Sequence, residues 1–179
     1  MKHVLVLALL GFFLAATGHV RGDDVKDVEK HLKTLKTSKN NSERLSAVSD
    51  LQLISSLNFA AVFPGIPVLT DVLATDKDHR VRATAALVLY NTGAEAKQAI
   101  PVCIERLKDE KEHPDVKYGA AMVLGVCGGN GVKTAREALP ILKKLEQDEK
   151  AKEQSARNDK LLEGVLTAIG SITAGTKDK

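Results

Sequence analysis

The chain has 179 residues, 44% hydrophobic and 27% charged, with a formal charge of +3, no Trp and only 3% aromatic residues. That length suits one domain, and the apolar fraction is ordinary for a soluble fold. So few aromatics oblige the core to be built from Ala, Val, Leu and Ile, which favours closely packed helices over a β-sandwich.

Residues 1–22 read as a signal peptide. Lys2 and His3 give a basic start, and the apolar run from Val4 to Ala16 falls short of the roughly 20 residues a membrane span needs. Small residues place cleavage after Gly18 or Gly22, the alternative being an uncleaved anchor. The expectation is therefore an exported protein, periplasmic or secreted, with no stable membrane insertion once the leader is gone. Cleavage after Gly22 removes Lys2 and Arg21, taking the charge from +3 to +1. That balance argues against a nucleic-acid partner, because duplex binding needs a concentrated basic surface.

Residues 23–175 are expected to form one helical domain, with a tail at 176–179. In chain order, Val25–Leu35 is amphipathic. Asn40 with Glu43 resembles a capping box that opens a second helix. This first pair, units 24–57, is more polar than the others, as the outer face of an end cap requires.

Two near-copies follow, in units 59–93 and 94–128. Pro67 and Pro101 are 34 apart, Val81 and Val116 are 35 apart, and so are Ala86 and Ala121. A looser copy spans 131–173, its extra length falling in the polar segment from Gln147 to Asp159. Fixed-period self-similarity marks a stacked repeat in which loops absorb insertions. Val81, Ala85, Ala86 and Leu89 share one helix face, as do Val116, Ala120, Ala121 and Leu124, and then Leu161, Val165, Leu166 and Ile169. Asp78 and Asp115 are the expected N-caps of the second helices, and Gly93 and the glycines of Cys127–Gly131 the expected C-caps. The prolines should bend the first helices or mark a late start.

"AIPVCIERLKDE…DVKYGAAMVLGVCG" and "VRATAALVLYNTG" resemble HEAT-type repeats, specifically the short HEAT-like repeat of the phycobilisome-lyase type. Val81-Arg82, Ala85-Ala86 and Leu124-Gly125 match that pattern, while Lys117 replaces an Arg and Tyr90 a Gly. The fold this implies is all-α, an α-solenoid of about four helical hairpins. The resemblance also implies that the second helices line a concave side where partners bind. There Leu87, Tyr118 and Met122 form a candidate apolar stripe, with Ala83, Glu163 and Thr167 at equivalent positions. Arg82 and Lys117 stand beside it, and the resemblance implies a ladder joining them to acids of neighbouring turns, with Asp76, Asp78, Asp109 and Asp115 as candidates.

Reactive chemistry finds little support. Cys103 and Cys127, if on the two helices of one hairpin, are offset by roughly 10 Å, which favours two reduced core thiols. His79 and His113 fall in turns of neighbouring repeats and can approach, but no third ligand has zinc-like spacing. The serines of the first unit lack a partner base, and Gly128–Gly131 lacks the Lys-Ser/Thr of a phosphate loop. No cofactor and no metal are expected. The functional expectation is a non-catalytic scaffold or adaptor for a protein or peptide. The alternative implied by the resemblance is a bilin-lyase-like enzyme subunit or a chaperone.

Overall fold

The computed structural model describes residues 22–175, so the signal-peptide reading and the tail lie outside the described residues. Eight α-helices follow one another there, with no strand among the described residues: α1 Gly22–Thr37, α2 Asn41–Leu57, α3 Ile66–Thr75, α4 His79–Asn91, α5 Ile100–Lys108, α6 Pro114–Gly129, α7 Leu139–Ala151 and α8 Asp159–Ala174. They pair as antiparallel hairpins, and the hairpins stack. The second helices α2, α4, α6 and α8 pack on one another in sequence, whereas α1, α3, α5 and α7 touch their like neighbours only sparingly. The inner layer is thus tight and the outer layer open.

Side-chain size explains the difference. Ala85, Ala86, Ala120 and Ala121 are fully buried on the inner helices. A methyl added at Gly119 would lie 2.7 Å from Ala86 Cβ, and one added at Gly125 would lie 2.9 Å from Ala168 Cα. The inner helices therefore approach until backbone meets backbone, and dispersion contacts replace the missing large side chains.

Proline marks a late start. Pro67, Pro101 and Pro140 sit in the first turns of α3, α5 and α7, where their missing N–H groups would have had no helical partner. Short 3₁₀ segments at Phe59–Gly65, Gly93–Ala99 and Lys133–Ala138 lead into them. Gly93 and Gly131 adopt φ of 64° and 80°, the left-handed conformation a helix stop needs. At the end of α6, Gly131 N–H donates to the Gly128 carbonyl and Val132 N–H to the Cys127 carbonyl, which closes the helix.

Three expectations need correction. Asp115 is not the N-cap of α6: Pro114 takes the first helical position, so His113 caps instead, its Nδ1 accepting from Asp115 N–H. The box at Asn40 is relayed rather than direct. Asn40 Oδ1 accepts from Ser42 N–H, while the Ser38 hydroxyl accepts from Asn40 N–H and donates to Glu43. At the end of the first repeat Leu53 and Leu57 are exposed, as is Phe59 just after it. Leu166 is exposed as well, although the matching Ala86 and Ala121 are buried. Ala86 is covered by Gly119 of the next repeat, and no described repeat follows α8.

Candidate functional site

The residues proposed as a stripe lie on the second helices α4, α6 and α8. Leu87, Tyr118 and Met122 are half-buried, while Glu163 and Thr167 are exposed. The tyrosine is held in place: its ring packs on Gly164 of α8, where a methyl would come within 2.6 Å of Cδ2, and Lys160 Nζ lies 4.9 Å from the ring centroid. Lys160 also bonds Asp115 at 2.8 Å, which holds that carboxyl below its usual range.

Toward the C-terminal ends of the inner helices the face dips into a cleft of about 130 Å³. Tyr90, Met122, Val126, Thr167 and Ser171 line it, with Gly125 and Ala168 at its floor. Sequence alignment of the helices found Met122 and Thr167 but missed Tyr90, Val126 and Ser171, which lie one turn further on. The available signal was that Gly125 and Ala168 are small where two helices must touch.

Arg82 is drawn away from this stripe into a ladder between repeats, as is Arg44; Lys117 stands at the same fourth helical position after an N-cap without bonding an acid. Arg44 forks onto Asp76, Nε to Oδ2 at 2.7 Å and Nη2 to Oδ1 at 3.0 Å. Arg82 forks onto Glu112, Nη2 to Oε1 at 2.5 Å and Nε to Oε2 at 3.1 Å. The carboxylate partner of Arg82 is thus Glu112 rather than one of the expected aspartates, although Arg82 Nη1 also donates to the Asp76 backbone carbonyl at 2.7 Å. Asp78 bonds Arg80 and Asn41 instead, and Asp109 accepts from Lys111 N–H. The acid facing Lys117 is Glu149, whose carboxyl it helps to lower.

Each acid also secures its own hairpin, because it accepts the N–H of the residue capping the next inner helix. Asp76 takes Asp78 N–H at 2.9 Å, Glu112 takes His113 N–H at 2.7 Å, and Glu149 takes Asn158 N–H at 3.0 Å. Burial pushes the Glu112 carboxyl up, but the Arg82 hydrogen bond, the His113 N–H and the charges of Arg82 and Arg106 outweigh it. The result is a carboxyl held below its usual range.

His79 and His113 do meet, their rings stacked with centroids 3.8 Å apart and planes 20° from parallel. Among the described residues no group of three metal-ligating side chains gathers around them or elsewhere. Cys103 and Cys127 are free and buried. Burial pushes the Cys127 thiol up to about 11 and raises that of Cys103 further, so neither is poised as a nucleophile.

Stacked antiparallel helical hairpins, an inner layer of second helices and a ladder between turns define an α-solenoid. The HEAT repeats family model matches residues 66–158, and the chain belongs to that family. HEAT repeats generally serve as protein-interaction scaffolds. The fold is similar to the crystal structure of an engineered protein, at a TM-score of 0.65 and 22% identity over 83% of this chain. The chain spans 63% of the length of that protein. No curated protein sequence matches it.

Proposed function

We propose that this chain is an exported scaffold or adaptor that binds a protein or peptide along its inner helix face, without catalysis of its own. The observation that carries the reading is the run of half-buried apolar side chains on successive inner helices, Leu87 on α4 and Tyr118 and Met122 on α6, opening into the cleft beside Tyr90 and Val126. Apolar groups left in contact with water on a rigid face favour a partner that covers them. Export rests on the leader-like residues 1–22.

The test is affinity capture from secreted and envelope fractions, with wild type against Leu87→Ser/Met122→Ser. Tyr118 is left intact, because its ring supports the packing of α8. Thermal melts of both proteins run alongside, since a half-buried leucine contributes to stability too. The expected outcome is a partner captured by wild type and lost by the double variant at similar Tm. Equal capture of the same proteins by both would sink the inner-face assignment.

A further inference from the structure

Two rungs of the ladder are closed and one is open. Lys117 is only 9% exposed, yet its ammonium makes no hydrogen bond or ion pair with any described residue and feels Glu149 only through its field. The carboxylate that should meet it is engaged elsewhere: Lys152 Nζ donates to Glu149 Oε1 at 2.5 Å, and Asn158 N–H occupies Oε2. Both competitors belong to the longer turn of the last repeat, after α7. A lysine also lacks the planar fork with which Arg44 and Arg82 grip two oxygens at once.

The unpaired ammonium borders a groove of about 560 Å³ between α5 and α7, on the outer layer where neighbouring helices stay apart. Leu107, Pro140, Ile141 and Leu145 supply its apolar walls, and the exposed Lys144 adds positive charge at the rim. A larger groove of about 1130 Å³ lies against the first rung, but there Arg44 is already bound to Asp76. Of these two grooves, the one at the last junction borders a cation with no hydrogen-bonded counter-charge among the described residues.

We infer that the α5–α7 groove is a second binding site, which takes an acidic side chain of an extended peptide flanked by aliphatic residues and seats its carboxylate on Lys117. The incoming carboxylate completes the open rung, and the aliphatic neighbours cover the walls. The peptide is favoured over a small carboxylate because the groove of about 560 Å³ holds more than one carboxylate and is edged by the exposed Lys108, Glu110 and Asp148. The site is on the outer side, so it stands independently of the inner-face reading, and Leu87→Ser/Met122→Ser leaves it intact.

The experiment is fluorescence anisotropy of the purified protein with a labelled Gly-Leu-Glu-Leu-Gly peptide and its Gln counterpart. Wild type is expected to bind the Glu peptide at least about tenfold more tightly, the share of a charge-assisted contact. Lys117→Met is expected to remove that preference while melting at or above the wild-type temperature, since it deletes an uncompensated charge. Should the methionine variant misfold, Lys117→Gln carries the same test. Equal affinities of the two peptides for wild type, or absence of binding by both, would overturn the inference. So would a preference that survives in the Lys117 variants, or octanoate binding where neither peptide binds.

Discussion

At the junction of the second and third repeats, a largely buried guanidinium meets a carboxylate whose side chain is 1% exposed. At the junction of the third and fourth, an ammonium occupies the same helical position, and the carboxylate has turned toward its own loop. The basic residues hold the same helical position, but Glu112 lies in the turn after α5 whereas Glu149 lies in the last turn of α7, ahead of a longer loop, so side chain and loop both make the difference. Arginine is long, planar and weakly hydrated, and it can hold two oxygens while the acid keeps its bond to the capping N–H. Lysine presents one compact charge and loses the contest to Lys152, which reaches Glu149 from three residues away. A stack of like units thus holds sites that are unlike in energy: one closed and structural, the other poised to accept a charge from outside.

The largest expected effect comes from breaking the closed rung. Arg82→Met leaves Glu112 buried with only Arg106 and the His113 N–H for company. The cost is about 2–3 kcal/mol, less than for a fully orphaned charge because those two partners remain. For a chain of this size that lowers Tm by about 5–10 °C, readable by circular dichroism. A loss within experimental error would show that the rung contributes no more than an ordinary surface pair.

Acid should erase part of the same contribution. In the folded chain the Glu112 carboxyl titrates below its usual range, so between the folded and unfolded values the unfolded state binds more protons. Stability from this group is therefore complete above about pH 4.3 and lost as pH falls through the folded value. Glu112→Gln has no such proton to bind. Urea titrations should show wild type well ahead of Glu112→Gln at pH 7, with the gap narrowing below about pH 4. A gap that is constant with pH would place the contribution in packing instead.

How much of this was legible in the sequence depends on the scale of the interaction. Helical faces and repeat length were readable because they depend on residue type at fixed spacing, as with Val81, Ala85 and Ala86. The ladder was readable as an idea, but its partners were not. Arg44, Arg82 and Lys117 precede Asp76, Glu112 and Glu149 by 32, 30 and 32 residues, an offset that varies with turn length. The expected aspartates included Asp109 and Asp115 of the right turn, but the fold delivers Glu112 from between them. Leu166 was misplaced for a related reason, since its face is set by the presence of a neighbour rather than by its own helix. The inner cleft was only half visible, because it arises where Gly125 and Ala168 let two backbones meet, and that is a property of the pair.

The smallest effect is the most discriminating. Lys117→Met replaces a largely buried lysine, whose ammonium reaches solvent and lacks a hydrogen-bonded protein partner, with an apolar chain of similar length beside Leu107 and Ile141. If the last rung is open, nothing is broken and the desolvation cost of the charge is relieved. The expected change is then between zero and about 1 kcal/mol of added stability, opposite in sign to that of Arg82→Met. Only the weak field at Glu149 is lost, and Lys152 and the Asn158 N–H already hold that group. A destabilisation matching that of Arg82→Met would mean that Lys117 does grip Glu149 in solution. The two junctions would then be energetically alike, and Lys117 would not be free to meet an incoming carboxylate.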